Sequence, residues 1–105
     1  RIKMNMNEAI EKLMTAIKDD YRAHTWTDWM IERFEDGLTF KEGKKYIKII
    51  ERGSAWGFIV KGEDKQFKVG DILKPASWAT PARNAARGNV FEDYTIQWTG
   101  PLYLK

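Results

Sequence analysis

The spacing of apolar residues changes once along this chain, close to Gly37. Before that glycine, apolar residues recur at every third or fourth position, which is the spacing of an amphipathic helix. After it they alternate with polar residues, which is typical of a strand with one buried face. Gly37 itself is predicted to end the helical segment in a left-handed conformation. Since both patterns leave an apolar side that a second layer has to cover, the sequence predicts an α+β fold with helices packed on an antiparallel sheet.

Residues 7–36 are predicted to be helical, either as two helices or as one helix with a kink near His24. Asn7 is a candidate N-cap of the first part, because its side-chain oxygen can accept a hydrogen bond from a free amide of the first turn. Thr25 or Thr27 can cap the second part. The apolar stripe of the first part consists of Met6, Ile10, Leu13, Met14, Ile17 and Tyr21.

An aromatic face follows in the second helical part. Trp26, Trp29, Met30 and Phe34 recur there at helical spacing. Large apolar residues in this arrangement are most often part of the core. If the face is exposed instead, it is a candidate protein-interaction surface, because tryptophan is enriched at the energetic centres of interfaces.

Residues 38–105 are predicted to be mainly β-structure, with four or five antiparallel strands. The first predicted strand covers residues 45–51 and places Ile47 and Ile49 on one face. A sheet of this size can also curl into a small SH3-like barrel. The whole chain of 105 residues is predicted to form a single domain.

Apolar and polar residues also alternate in the next two predicted strands. Trp56, Phe58 and Val60 occupy every second position and are therefore predicted to lie on one side of the second strand. Gly70 is predicted to mark a bulge or bend inside the third, because glycine weakens a regular strand.

Residues 74–89, with the sequence KPASWATPARNAARGN, form a basic segment without an acidic residue. Pro75 and Pro81 lack an amide donor, which argues against a central strand. Thr80 followed by Pro81 is typical of a helix start, so a short helix is predicted over residues 81–87.

Two interpretations of this segment remain open. In the first, Arg83 and Arg87 project from one face of the short helix and bind an anion, with Trp78 placed to stack on a base. In the second, the segment is a structural lid, in which Trp78 closes the end of the sheet. The arginines would then pair with Glu92 and Asp93 or with the acidic helical part.

The charge is distributed unevenly along the chain. Net charge is +3 overall, with −2 in residues 1–40 and +5 in residues 41–105. Basic residues mixed with aromatic ones predict a nucleic-acid-binding surface of weak sequence specificity, because its contacts would be mainly to phosphates. Tyr46 offers a ring for stacking. The other candidate contact residues are Lys44, Lys45, Lys48, Lys68, Lys74, Trp78, Arg83 and Arg87.

Catalysis and metal binding have little support in the sequence. The absence of cysteine excludes disulfides and thiolate chemistry. His24 is the single histidine, and no motif places a nucleophile beside it. Glu32, Glu35 and Asp36 cluster at a helix end, but a second set of ligands is missing, so a solvated acidic face is expected. We therefore expect a non-enzymatic protein without a cofactor or bound metal.

Membrane association is not expected either. No apolar run approaches the roughly 18 residues that a membrane span needs. The first residues do not follow the pattern of a signal peptide, and Met4 or Met6 is a candidate start of translation.

Four short motifs in the last third of the chain resemble a segment of small bacteriophage proteins. That segment has a G-D-[IV]-L-K stretch, a W-x-x-P-A motif, an A-R-G-N-[VI] motif and then W-T-G. The matching residues are Gly70, Asp71, Ile72, Leu73 and Lys74, then Trp78, Pro81 and Ala82, then Ala86, Arg87, Gly88, Asn89 and Val90, and finally Trp98, Thr99 and Gly100. The resemblance implies a phage source and a small accessory protein in the host cytoplasm, but it carries no activity or catalytic residue.

Two functional hypotheses follow from these observations. In the first, the protein is a non-enzymatic phage accessory protein that binds DNA or RNA through its basic, aromatic-containing surface. In the second, it inhibits or modulates a host protein by direct contact through the aromatic helical face. A basic groove over sheet and loop favours the first hypothesis, and an exposed tryptophan and methionine patch favours the second.

Overall fold

The structure is a computed structural model that describes residues 4–62, 64–92 and 94–101. It confirms the predicted α+β fold, in which two helices precede an antiparallel sheet. The elements are α1 (Met6–His24), α2 (Asp28–Asp36), β1 (Leu38–Glu42), β2 (Tyr46–Glu51), β3 (Ser54–Val60), β4 (Ile72–Leu73), β5 (Ile96–Gln97) and β6 (Gly100–Pro101).

The N-cap of helix α1 lies two residues earlier than predicted. Asn5, not Asn7, occupies the N-cap position, and its side chain accepts a hydrogen bond from the Glu8 amide at 2.9 Å. The Glu8 carboxylate accepts one from the Asn5 amide at 3.1 Å. This reciprocal capping box requires an acid three residues after the cap, which Asn5 has and Asn7 lacks.

The end of α2 is also built differently from the prediction. Gly37 follows the helix with a right-handed backbone (φ −88°), so the predicted left-handed stop is wrong. Glycine is needed there for space, because a Cβ on Gly37 would lie 2.6 Å from Cγ of Arg52. The Gly37 carbonyl accepts a hydrogen bond from the Arg52 amide at 2.8 Å, so the helix end packs directly against the turn between β2 and β3.

Strands β1 to β4 form one antiparallel sheet in chain order. Strand β1 was not predicted, yet all five of its residues pair with β2, from Leu38 opposite Glu51 to Glu42 opposite Ile47. Strands β5 and β6 form a separate two-stranded pair. Within the described residues the sheet does not close into a barrel.

A β-bulge decides which residues share a side of β3. Ile49 lies opposite Gly57 and Ile50 lies opposite Ala55, which leaves Trp56 as an extra residue without a cross-strand partner. The alternation of side chains therefore shifts at Trp56. Trp56 packs with the helices, whereas Phe58 and Val60 pack on the other side of the sheet, so the predicted common side of these three residues is wrong.

We call the two sides of the sheet the helix face and the loop face. The helix face carries Ile47, Ile49, Ile59 and Ile72 and is covered by α1 and α2. Next to it, Tyr21 of α1 stacks on Phe34 of α2 with ring centroids 4.0 Å apart. The loop face carries Phe58, Val60 and Leu73, with Phe67 from the preceding loop and Ala86 packed against them.

The predicted helix over residues 81–87 is absent, and the chain there is irregular and runs beside β4. Its amides bond to residues near β4 instead of to one another. The Ala82 amide donates to the Lys74 carbonyl and the Arg87 amide to the Ile72 carbonyl, both at 2.7 Å. Without a helix, no helix N-terminus exists at Pro81 to bind an anion.

Two of the resemblance motifs meet in a buried polar contact. The Asn89 amide group donates to the Asp71 carboxylate at 2.9 Å and to the Val69 carbonyl at 3.1 Å. Gly70 lies before β4 in a left-handed conformation (φ +94°) rather than inside a strand. A Cβ there would lie 2.8 Å from the Asn89 side-chain oxygen, so this close approach requires glycine. These motif residues therefore hold the end of the 74–89 segment to the sheet.

Candidate nucleic-acid interface

A cleft rich in lysine lies on the loop face, beside the turn between β1 and β2. Its volume is about 240 Å³. Rings of Tyr46 and Phe58 line it, packed edge to face with centroids 5.9 Å apart. The other lining residues are Lys41, Glu42, Gly43, Lys44, Lys45, Lys48 and Ala79. We call this the lysine cleft.

Two of these lysines face each other across neighbouring strands. Lys41 of β1 lies directly opposite Lys48 of β2. Like charges at directly opposite positions of an antiparallel pair repel and destabilise the sheet. Sequence reasoning missed Lys41 because it missed β1, although the alternation of Leu38 and Phe40 after Gly37 was a usable signal.

The cleft keeps a positive charge because its carboxylate is already paired. Glu42 contacts Lys61 Nζ at 2.5 Å, which neutralises the acidic group in the lining. Within residues 4–62, 64–92 and 94–101, no carboxylate lies within ion-pair distance of Lys44 or Lys45. The predicted contact residues Lys44, Lys45 and Lys48 are thus brought together, and an anion can approach them.

Trp78 is presented at the tip of a small loop over residues 75–81, which we call the Trp78 loop. A β-bridge between Pro75 and Pro81 closes its base. Inside it, the Ala76 amide donates to the Thr80 carbonyl at 2.9 Å, and the Ser77 hydroxyl lies 2.8 Å from the Thr80 hydroxyl. These bonds hold the loop in one conformation although it is on the surface.

The ring of Trp78 is half exposed, at 51%. Lys48 Nζ lies 3.8 Å from its ring centroid, which is a cation–π contact. Trp78 therefore does not close the end of the sheet as a buried plug. Its neighbour Ala79 lines the lysine cleft, so the Trp78 loop forms one rim of that cleft.

The guanidinium of Arg83 contacts other side chains of the protein. It donates to both oxygens of Asp64, at 2.8 and 3.0 Å, and also to the Tyr46 hydroxyl. It further lies 5.0 Å from the Phe67 ring centroid. The hydrogen bonds from Arg83, and then the one from the Gln66 amide, lower the pKa of Asp64 from 3.8 to about 2. The same pairing with Asp64 raises the pKa of Arg83.

Arg83 and Arg87 consequently do not form the predicted pair on one helical face. Arg87 is half buried, and its guanidinium donates to the Ala85 carbonyl at 3.3 Å. The predicted lid contacts also differ, because Arg83 pairs with Asp64 and Glu92 pairs with Lys68 at 3.0 Å. The predicted partner Asp93 lies outside the described residues.

Of the remaining predicted contact residues, Lys68 and Lys74 do not line the cleft. Lys68 is exposed but paired with Glu92, which also raises the pKa of Lys68. Lys74 is half buried directly after β4, and its carbonyl accepts the Ala82 amide. The structure therefore concentrates the candidate interface on Lys41, Lys44, Lys45, Lys48 and Trp78, with Tyr46 beside them.

The predicted aromatic face, which runs from Trp26 just before α2 to Phe34 within it, divides between surface and core. Trp26 is 90% exposed and Trp29 is 60% exposed, with Met30 also at the surface. The expectation that Trp26 and Trp29 belong to the core is therefore wrong. Phe34 is fully buried against Tyr21, so it cannot belong to the alternative protein-interaction surface.

The acidic cluster of α2 and the single histidine lie among the residues that the structure describes. No group of three or more His, Asp or Glu side chains there is arranged to hold a metal ion. Glu35 of the acidic cluster pairs with Arg22 at 2.6 Å. His24 is exposed, and its Nδ1 lies 2.8 Å from the Asp20 carbonyl. Neither α1 nor α2 has the length and apolar character to span a bilayer.

Comparison with known proteins places the chain in a family without assigning a function. A family model described as a family of unknown function (DUF7717) matches residues 1–103. No curated protein and no solved structure matches the chain.

Proposed function

Because the chain belongs to DUF7717, a family of unknown function, we propose from its own geometry that it binds nucleic acid without catalysing a reaction. Binding takes place at the lysine cleft and the adjoining Trp78 loop. The observation that carries the proposal is the placement of Lys41 directly opposite Lys48 in a cleft that Lys44 and Lys45 also line.

The electrostatic argument starts from this lysine pair. Two cations held opposite each other cost free energy in the unbound protein. A phosphate in the cleft removes that repulsion and gains charge-assisted hydrogen bonds at the same time. Lysine contacts to phosphate also release counterions from the nucleic acid, which favours binding at low salt.

The aromatic residues support a nucleic-acid ligand over a simple anion. Trp78 is half exposed beside the cleft, where a base can stack on its ring. Tyr46 lines the cleft and is held in position by Arg83. The phage source and the host cytoplasm, which the motif resemblance implies, belong to the same proposal of a small accessory protein.

A salt titration tests the proposal. Affinity for fluorescent oligonucleotides is measured by anisotropy over a range of salt concentrations, for the wild type and for the triple variant Lys41→Gln, Lys44→Gln, Lys45→Gln. Each lost phosphate contact should reduce the log–log salt slope by about 0.7 for a single strand and about 0.9 for a duplex. The triple variant should therefore lose roughly two to three units of slope.

The matched control removes three positive charges from the helices, as Lys12→Gln, Lys18→Gln, Arg33→Gln. It changes net charge by the same amount but leaves the lysine cleft intact. An equal loss of slope in both triple variants would mean that net charge alone attracts the nucleic acid. No binding by the wild type at low salt would overturn the proposed function.

The exposure of Trp26 favours a second candidate function, contact with a host protein. A tryptophan that is 90% exposed beside Trp29 and Met30 is an unusual surface feature for an isolated domain. The test is a pull-down from nuclease-treated host lysate with the wild type and with Trp26→Ser, Trp29→Ser. A host protein retained by the wild type and lost by the double variant would support this candidate, and identical retention would contradict it.

A further inference from the structure

The Trp78 loop is the part of the proposed interface that bears on whether a single strand or a duplex is bound. Trp78 stands on a loop that is closed by a bridge at its base and by the Ser77–Thr80 hydroxyl contact inside it. The Ser77 hydroxyl also accepts hydrogen bonds from the Ala79 and Thr80 amides, at 3.3 and 3.2 Å. A ring on a preorganised loop loses little conformational entropy when a ligand stacks on it.

The two sides of the Trp78 loop differ in chemistry. One side is the lysine cleft, whose rim includes Ala79. The other is a shallow depression without a charged side chain in its lining, formed by Gly53, Ser54, Ala55, Pro75, Ala76, Ser77 and Trp78 itself. A charged cleft, an exposed ring and a neutral depression lie side by side, and this order suits a phosphate followed by a base.

The size of the lysine cleft suits one phosphate group of a longer strand. The lysine cleft of about 240 Å³ is smaller than the roughly 300–1,000 Å³ of pockets that enclose whole small molecules. It has room for a backbone phosphate, while the base remains outside on the Trp78 ring.

We infer that the interface binds an unpaired strand, DNA or RNA, in preference to a duplex. This inference rests on the proposed function. In a duplex both faces of each base are covered by stacking, so Trp78 would have to separate two base pairs before it could contact one. An unpaired strand offers a free base face to the ring without that penalty.

The experiment compares four probes of about 12 nucleotides, a length within the range of small single-strand-binding sites. They are a single-stranded DNA, the RNA of the same sequence, the matching DNA duplex, and a single strand in which abasic sites replace the bases. Wild type should bind both intact single strands more tightly than the duplex, and the DNA and RNA arms identify the source. Trp78→Ala should weaken binding to intact single strands about 5- to 150-fold, with little change on the abasic strand.

Three variants keep the result interpretable. Trp26→Ala removes an equally large and more exposed tryptophan from the helical side and should leave all four affinities unchanged. Trp78→Phe retains a stacking ring and should preserve most of the single-strand preference. If Trp78→Ala does not fold, Trp78→Leu keeps apolar volume without a ring and should show the same selective loss.

The outcomes separate this inference from the proposed function. Equal or tighter binding to the duplex overturns the single-strand inference while nucleic-acid binding stands. An equal effect of Trp78→Ala on intact and abasic strands overturns it too, because stacking would then make no contribution. If none of the four probes binds, the proposed function itself fails.

Discussion

The two faces of the sheet are held together by different kinds of contact. On the helix face, large apolar side chains of the helices, including Ile10, Leu13, Ile17 and Phe34, are fully buried. On the loop face, a smaller cluster of Phe58, Val60, Phe67 and Leu73 is buried. The irregular chain that covers this cluster also makes exposed polar contacts, such as the pairing of Arg83 with Asp64.

This difference means that the residues that stabilise the fold are largely distinct from the residues that are placed to bind a ligand. Apolar burial contributes most of the free energy of folding and leaves no chemistry at the surface. Exposed ion pairs contribute little to stability, but they position groups that remain in contact with solvent. We therefore expect mutations of buried residues on the helix face to unfold the protein, and mutations of exposed residues on the loop face to change binding in a protein that stays folded.

The largest expected effect is on the helix face. Phe34→Ala removes a fully buried ring that stacks on Tyr21, and it should lower the free energy of unfolding by about 3–5 kcal/mol. Urea denaturation followed by circular dichroism measures the loss. Phe40→Ala, at an exposed phenylalanine of β1, is the control and should cost roughly 1 kcal/mol or less. A small effect of Phe34→Ala would break the contrast between the two faces.

An intermediate effect is expected where the loop face has a buried polar contact. Asn89→Ala leaves the buried Asp71 carboxylate without one of its hydrogen-bond donors and should cost about 1–3 kcal/mol. Limited proteolysis should show cleavage in the 74–89 segment before cleavage in α1. The control Asn7→Ala changes an exposed asparagine near the start of α1 and should be close to neutral. Simultaneous cleavage in both places would show that the two faces unfold together, and cleavage that begins in α1 would contradict the prediction.

The smallest expected effect is a pH-dependent one on the loop face. The folded pKa of Asp64, about 2, lies below its ordinary value of 3.8. The ionised carboxylate is therefore favoured by folding, so its contribution is complete above the ordinary pKa and disappears as the pH falls through the folded one. The difference in melting temperature between wild type and Asp64→Asn should shrink as the pH falls from about 5 toward 2.

Asp36→Asn is the control for loss of an exposed carboxylate. If the difference between wild type and Asp64→Asn stays constant over that range, the charge of Asp64 is not what matters. The Gln66 and Phe67 amides donate to Oδ1 of Asp64, at 2.8 and 3.3 Å, and asparagine retains that acceptor.

Sequence-based prediction was accurate for elements that bury one apolar side and inaccurate for elements whose position depends on other contacts. Both helices and the core strands were predictable because their apolar periodicity reflects burial of one side. Strand β1 was missed because the charged run from Lys41 to Lys45 outweighed the two apolar residues before it. The common side of Trp56 and Phe58 was wrong because a single bulged residue reverses the alternation, and no local pattern marked it.

The candidate site was predictable in composition but not in arrangement. Lys44, Lys45, Lys48 and Trp78 were named from charge and aromatic content, and the structure places them around one cleft and one loop. Arg83 was named on the same grounds, yet its bidentate contact with Asp64 spans 19 positions of the chain. Nothing in the residues next to Arg83 indicated that partner.

The sequence by itself determined the α+β class, the placement of the helices before the sheet, and the basic character of the second half. Periodicity and charge are properties of neighbouring residues, so they can be read from the sequence without knowledge of the tertiary contacts. Only the tertiary structure decided that residues 81–87 are irregular, that Lys41 faces Lys48, and that Trp26 and Trp78 stay at the surface. Each of these three features depends on partners that are distant in the sequence: the acceptor of an amide, the neighbour of a charge, or the side chains around a ring. Those partners come together only when the sheet and its covering segments assemble.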